Sequence, residues 1–296
     1  MKISVVIPTT SRSASLEAAI NSVLTQEGDF DIDVIVVYNN LKTDSELSTP
    51  LNAIVHCSKN QDIREFNLDN HTCANANTAR NHGTGNATGD YVAYLDSDDL
   101  WYKDHLSSRL KLIEEKGATA AFGPFYINRG NRKKQRAFVG FTENMDPFEF
   151  IWQKGGLAQT SGFLVRTIDA IESPWDENLK RSQDHDFFVR MSARCNWHQV
   201  QTETYEVVWP SFQHRSYDFE SYWTFYVDHK SRFSDPAACS YLFSRLLESA
   251  FSKGTYFKQF RTEITQRGNH LSFVKRLISK NRLTAVTGWY VNQIFN

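Results

Sequence analysis

The chain opens with Ile3-Ser4-Val5-Val6-Ile7, a β-branched and nearly unbroken apolar run, and the pattern returns at Asp33-Val34-Ile35-Val36-Val37-Tyr38. A strand with one wet face alternates apolar and polar residues, so continuous runs of this kind suit strands covered on both faces, as in a parallel sheet. Between the two runs Leu16, Ile20, Val23 and Leu24 recur at helical spacing. Ser13 or Ser15 precedes them and can cap that helix. Strand, helix, strand at this spacing is a βαβ unit with a right-handed crossover. It commits the first half of the chain to an α/β sheet, where ligands bind in the crevice outside the carboxyl ends of the strands.

The same reading continues along the chain. It predicts a third strand over 52–57, a polar helix before Gly83 and a fourth strand over 91–95, running straight into Asp96-Ser97-Asp98-Asp99. Leu100, Leu106, Leu110 and Ile113 predict a helix ending at Gly117, with Asp99 as its cap. Two strands, 120–127 and 137–141, should flank a basic loop. A helix over 184–193, a strand over 204–209 and mostly helix from Tyr217 onward complete the pattern, without internal repeats.

Several classes of function are set aside by composition. Lys plus Arg number 33 against 34 Asp plus Glu, so the basic excess that phosphate contacts demand is missing and no nucleic-acid partner is expected. Cys57, Cys73, Cys195 and Cys239 contain no C-x-x-C pair, which argues for free thiols in a reducing compartment rather than a zinc site or a disulfide scaffold. No apolar run approaches the roughly 20 residues of a membrane span. The first apolar run meets Pro8 too early for a signal peptide, so a cytoplasmic protein is expected. The turn after the first strand, Pro8-Thr9-Thr10-Ser11-Arg12-Ser13, lacks the glycines of a dinucleotide fingerprint, and no Walker A loop is present.

The strongest local signal is carboxylic. Asp96 and Asp98 lie two apart at a strand end and can project to one side. Two hard oxygen donors suit Mg²⁺ or Mn²⁺, which bind one or two carboxylates together with substrate phosphates. An Asp-rich capped turn is the competing reading.

At these residues a family likeness emerges. Ser4-Val5-Val6-Ile7-Pro8-Thr9, followed by a helix ending Ser22-Val23-Leu24-Thr25-Gln26, resembles the opening of the family 2 inverting glycosyltransferases of GT-A fold. Ala79-Arg80-Asn81-His82-Gly83, Ala87-Thr88-Gly89-Asp90-Tyr91 and Leu95-Asp96-Ser97-Asp98-Asp99 resemble its central block and D-x-D motif. Ser161-Gly162-Phe163-Leu164-Val165-Arg166, Trp175-Asp176-Glu177 and Gln183-Asp184-His185-Asp186-Phe187 resemble its acceptor-side block. Order and spacing are kept over residues 1–216.

The resemblance implies a GT-A domain over 1–216, with a nucleotide-sugar-binding half (1–100) and an acceptor-side half (101–216). A mostly helical extension, 217–296, follows. It implies that Pro8, Thr9 and Thr10 line the base and ribose, and that Arg80 meets the nucleotide or its diphosphate. Asp96 would lie near ribose and metal, and Asp98 would be the principal ligand of Mn²⁺ or Mg²⁺. Asp184 would be the general base, taking the acceptor hydroxyl's proton, with Asp186 structural or acceptor-facing. His214 would face the diphosphate or metal, although a lone histidine is often structural. The implied partners are a nucleotide-sugar donor, UDP-sugar by default, and a glycan or glycolipid acceptor.

Three departures stand out. Tyr38-Asn39-Asn40-Leu41 replaces the family's acidic pair, leaving Asn39 to hydrogen-bond base or ribose; Gln183 replaces a glutamate; and the Gln-x-x-Arg-Trp motif of processive relatives is absent. A single-addition enzyme follows. A sugar-nucleotide nucleotidyltransferase is the alternative enzyme, and an inactive nucleotide-sugar-binding scaffold the non-enzymatic one. Arg129, Arg132, Lys133, Lys134 and Arg136 crowd one stretch, which reads as a solvated hairpin tip or a contact for an anionic acceptor. Beyond Phe251, Lys253, Lys258, Arg261, Arg267, Lys275, Arg276, Lys280 and Arg282 face one acid, Glu263. Such basic amphipathic helices serve as packing or homo-oligomer elements, or as peripheral contacts on the inner face of the cytoplasmic membrane. The chain is 14% aromatic, and Trp101, Trp152, Trp175, Trp209 and the rings of 217–226 fall where sugar-facing platforms are expected, although most should be core.

Overall fold

The computed structural model describes residues 1–39, 51, 61–68, 75–130, 132–135, 138–208, 217–249 and 254–267. The chain divides into two compact units, Met1–Pro147 with Gly156–Trp209, and Phe148–Gly155 with Pro210–Asn296. The expected strand at 52–57, His214, Trp209, Cys57, Cys73 and the basic tail beyond Arg267 lie outside the described residues.

The first unit begins as the apolar runs dictate. β1 (Lys2–Thr9), α1 (Ala14–Leu24) and β2 (Asp31–Asn39) form the βαβ unit. Leu16, Ala19, Ile20 and Val23 bury one face of α1, and the Ser13 hydroxyl caps it by accepting from Leu16 N at 3.3 Å. β3 (Gln61–Leu68), α2 (Ala76–Gly85) and β4 (Tyr91–Tyr94) follow. Next come β5 (Leu100–Trp101), α3 (His105–Lys116), β6 (Ala120–Phe122), β7 (Tyr126–Asn128) and β8 (Lys133–Gln135). α4 (Pro147–Trp152) leads to the second unit, and β9 (Leu164–Arg166), α5 (Thr167–Glu172), α6 (Gln183–Met191), β10 (Trp197–Gln199) and β11 (Tyr205–Val208) complete the first. One sheet has the order β10-β6-β9-β4-β1-β2-β3, and a smaller one the order β5-β11-β7-β8. β1 runs parallel to β2 and β4, and β2 parallel to β3, while β9 lies antiparallel between β4 and β6. Thr9 pairs with Tyr38, and Val6 with Tyr94, so Pro8, Thr9, Asn39 and Asp96 come to one edge, at the carboxyl ends of the parallel strands.

Five expectations need correction. β3 was not anticipated, because Gln61-Asp62-Ile63-Arg64-Glu65-Phe66-Asn67-Leu68 is an edge strand whose charges find partners instead of a core. Leu100 starts no helix: it pairs with β11, and α3 begins at His105. Asp99 is therefore not a helix cap. It is buried and accepts hydrogen bonds from Ser161 Oγ at 2.6 Å and Val208 N at 3.0 Å. The expected strand over 120–127 breaks at Gly123-Pro124 into β6 and β7, which join different sheets. Residues 138–141 form no strand, and the second strand of the hairpin is the basic stretch itself, β8. Its Lys133 pairs with Glu206, and Tyr102 OH also bonds Glu206, at 2.7 Å.

One buried cluster ties β1, β2, β3 and the turn before β4 together. Asp33 accepts from Ser4 Oγ (2.9 Å), Thr88 Oγ1 (2.9 Å) and Arg64 Nε (2.9 Å) and Nη2 (2.5 Å). Burial opposes the Asp33 charge, but the Arg64, Ser4 and Thr88 hydrogen bonds and the Arg64 charge outweigh it and hold the carboxyl below its ordinary range. A carboxyl depressed in the folded state stabilises fully above the ordinary range, near about pH 4. That stabilisation is lost as pH falls through the folded value. Asp33→Asn is accordingly expected to lower stability at neutral pH and to flatten its decline in acid, as read by urea unfolding from about pH 6 to about pH 3.

In the second unit α4, α7 (Phe219–His229), α8 (Asp235–Ser249) and α9 (Thr255–Gln266) pack around aromatic side chains. Phe148 and Phe233 lie 4.5 Å apart, Trp152 and Phe233 5.1 Å, and Phe225 and Tyr241 5.6 Å. Arg267 ties Tyr226 OH (2.9 Å) to Asp235 (2.9 Å). Among the described residues no helix is long and apolar enough to cross a membrane.

Candidate active site

The chain leaves β4 through Leu95-Asp96-Ser97-Asp98-Asp99, and the three carboxyls have different surroundings. A 3-10 turn, Thr160–Gly162, lies against this segment. Its Ser161 hydroxyl accepts from Asp96 N (3.0 Å) and donates to Asp99 Oδ2 (2.6 Å), while Trp101 Nε1 donates to Ser161 O at 2.7 Å. Burial first, then the Asp96 charge, push the Asp99 carboxyl well above the ordinary range. Asp98 is exposed at the surface of the turn. Partial desolvation there, then the charge of Asp96, push its carboxyl upward too. Two neighbouring carboxyls of this kind, one held up by the other's charge, are what a divalent cation would relieve. Among the described residues no three His, Cys, Asp or Glu side chains converge as a ready-made cation cage.

Arg80 lies deeper than its motif suggests. It is 4% exposed, with Nη1 on Asn77 Oδ1 and Nη2 on Asp96 Oδ1, both at 2.7 Å. The helix that carries it, α2, is capped by Asn75 and Thr78 in a reciprocal capping box. Gly83 lets this helix approach β1, for a Cβ there would lie 2.4 Å from Val6 Cγ1. The opposite face of α2 grips residues 175–179. Asn77 Nδ2 donates to Asp176 O (2.6 Å), Asn81 pairs with Trp175 through its amide, and Glu177 accepts from Asn81 Nδ2 (2.8 Å) and Thr78 Oγ1 (3.1 Å).

At the carboxyl end of β1 Pro8 and Thr9 are buried, Thr9 donating to Ser11 O at 2.9 Å, whereas Thr10 is exposed. Asn39 ends β2, also buried. A cluster that sequence reading missed stands beside them: Arg12 donates to Tyr38 OH (3.1 Å) and Glu65 Oε2 (2.5 Å). Burial pushes the Tyr38 phenol up to about 12. The signal was only that Tyr38 adjoins Asn39.

Asp184 occupies the first turn of α6, where its Oδ1 accepts from His185 N at 3.0 Å. Ser182 stands at the N-cap with φ 61° and ψ 19°, the single non-glycine with positive φ among the described residues, and its side chain makes no capping bond. Backbone held in this region costs roughly 1–3 kcal/mol and tends to collect at functional sites. Gln183 Nε2 donates to Leu179 O at 3.1 Å, and Asp186 is buried against Arg190 Nε at 2.8 Å.

Tyr205 is buried against Gly162 of the 3-10 turn, its OH donating to Gly123 O at 3.2 Å. Burial drives its phenol strongly upward, and the charges of Asp99, Asp184 and Asp96 add to that, with Arg109 opposing. Arg109 is wholly buried below, donating to Gly162 O (2.9 Å), His105 O (2.9 Å) and Thr204 Oγ1 (2.7 Å), and burial lowers it to about 10. It holds up the 3-10 turn whose Ser161 orders the Asp96–Asp99 segment. Trp101 and Trp175 are buried, so neither is a sugar platform. From sequence Ser161 has no role beyond its place in the 161–166 block and Arg109 has none, because neither residue type signals a site until the fold brings it there.

The sheet order, with carboxylates at the carboxyl ends of its parallel strands, is that of a GT-A fold. The chain belongs to glycosyl transferase family 2, whose family model matches residues 4–163. It is 28% identical over 320 residues, 96% of this chain and 98% of the relative, to the amylovoran biosynthesis glycosyltransferase AmsB of Erwinia amylovora. It is 29% identical over 147 residues to the GalNAc(5)-diNAcBac-PP-undecaprenol beta-1,3-glucosyltransferase of Campylobacter jejuni, covering 49% of this chain and 45% of that one. The fold is similar to that of S. aureus TarS 1-349 in complex with UDP-GlcNAc, with a TM-score of 0.67 at 15% identity over 90% of this chain and 81% of that structure.

Proposed function

We propose that this glycosyltransferase moves a single sugar, with inversion and metal assistance, from a nucleotide-diphosphate donor to a hydroxyl of a glycan or glycolipid. The meeting of Pro8, Thr9, Asn39 and Asp96 at the carboxyl ends of the parallel strands carries the reading, with Arg80 Nη2 holding Asp96 Oδ1 at 2.7 Å. Asp184 takes the acceptor hydroxyl's proton as the oxygen attacks the anomeric carbon, and the carbon–oxygen bond to the diphosphate breaks on the opposite side. Asp98 and Asp96 would hold Mn²⁺ or Mg²⁺ against the diphosphate, where the cation's role is to neutralise charge on the leaving group. Pro8, Thr9, Thr10 and Asn39 line the base and ribose edge, with UDP-sugar the default donor, and Arg80 acts by fixing Asp96. A lipid-linked acceptor is favoured by the undecaprenol-linked acceptor in the name of the Campylobacter relative. The basic residues near the C-terminus would then meet lipid headgroups.

Asp98→Ala tests the metal-dependent part. Titrating UDP, GDP, dTDP and CDP into the protein with Mn²⁺ should show one of them bound by the wild type. Even outer-shell partners of a metal are worth about 10–100-fold in affinity, so loss of a direct ligand should cost at least that much. Equal binding by Asp98→Ala, or binding by the wild type that ignores Mn²⁺, would remove Asp98 from the metal role.

A further inference from the structure

Arg80 bridges two surfaces at once. Its edge bonds Asn77 and Asp96, while its flat face lies on Trp175, the guanidinium carbon 4.7 Å from the ring centroid. The same indole stacks on Phe187 at 4.0 Å and 4°. Phe187 stands on α6 three residues after Asp184, the spacing of neighbours on one helix face. Tyr94, the last residue of β4, meets both rings edge-on, at 5.1 Å and 82° to Trp175 and at 5.7 Å and 79° to Phe187. The backbone of Trp175 is pinned at both ends by Asn81, whose Oδ1 accepts from Trp175 N (2.8 Å) and whose Nδ2 donates to Trp175 O (2.9 Å).

We infer that Trp175 is a positioning residue that couples Asp96, through Arg80, to the helix carrying Asp184. The inference rests on the assignment of Asp96 to the donor side and Asp184 to the base. A guanidinium is suited to the task because its donors lie in the plane, leaving its face free to stack, whereas an ammonium offers no such plane. Close-packed rings transmit displacement because the interior has little free volume to absorb it. When a diphosphate and its cation fix Asp96, Arg80 is held against the indole, the indole against Phe187, and the first turn of α6 loses freedom. Ordering at one site then lowers the cost of ordering at the other.

Hydrogen exchange of the α6 amides reads this coupling without needing the acceptor. The probe is whichever of UDP, GDP, dTDP and CDP the wild type binds in the presence of Mn²⁺. With it bound, amides of residues 183–191 should exchange several-fold more slowly in the wild type and in Trp175→Phe, which keeps a flat face. Trp175→Leu and Phe187→Leu should still bind the nucleotide but lose that protection. The two cut the stack from opposite sides, so failure of one to fold leaves the other decisive. Protection retained in a leucine variant, or a wild type whose α6 is indifferent to bound nucleotide, overturns the coupling. If the wild type binds none of the four nucleotides, the donor-site reading falls instead, and this inference with it.

Discussion

Asp184→Asn is expected to bind nucleoside diphosphate as tightly as the wild type and to transfer sugar about 10²–10⁴-fold more slowly, the usual worth of a positioned general base. The amide matches the carboxylate in shape and can still accept from His185 N, which Asp184 Oδ1 does at 3.0 Å. It cannot take a proton. Because Asp184 lies in the first turn of α6, losing its charge also removes a favourable interaction with the helix N-terminus, worth about 0.3–1 kcal/mol. The fold should therefore survive with a small change in melting temperature. Initial transfer rates beside calorimetric binding separate the two effects. Undiminished transfer by Asp184→Asn would assign the proton to another group.

Gly89→Ala is expected to do the reverse, sparing the chemistry and damaging the sheet. A Cβ on Gly89 would stand 2.6 Å from Ser4 N, 2.8 Å from Lys2 O and 2.9 Å from Ile3 C. All three are backbone atoms of β1, which is hydrogen-bonded to β4 on one side and β2 on the other and cannot step aside. Overpacking against movable side chains costs about 1–3 kcal/mol, so a backbone clash should cost about 3 kcal/mol or more. Gly89 also donates to Ser4 Oγ (2.9 Å) and accepts from Thr167 Oγ1 (2.7 Å), bonds that any shift would weaken. In a unit of this size the melting temperature should fall by about 6–12 °C. Gly85→Ala is the matched comparison, since nothing lies within 4 Å of its Cβ position. Equal melting of the two variants would contradict the close approach at Gly89.

The contrast shows what could be read from residues alone. β1 and β2 were legible because strands covered on both faces write themselves as unbroken apolar runs. Asp96 and Asp98 were legible as candidates through their spacing, and Asp184 through the family likeness of the block around it. What spacing cannot reveal is which side chain turns inward. Asp98 and Asp99 are adjacent and chemically identical, yet Asp98 is exposed and Asp99 is buried among Ser161, Val208 and Gln159. The motif around Arg80 implies a contact with the nucleotide or its diphosphate, and it could not show that Asn77, Asp96 and Trp175 surround the guanidinium. β3 escaped notice because its charges are satisfied across strands, Arg64 on Asp33 and Glu65 on Arg12, and leave no apolar period.

The antiparallel β9 also sets an order of assembly. β1, β2, β3 and β4 can pair with one another once Tyr94 has emerged from the ribosome, but β6 and β10 reach the large sheet only through β9. The free edge of β4 therefore waits for Leu164 to be synthesised, with Val92 and Ala93 unpaired on that side. Open apolar strand edges recruit other strands, and partly folded chains aggregate through them. β1 to β4 are complete early, and a nascent chain stalled before Leu164 would offer that edge to any neighbour.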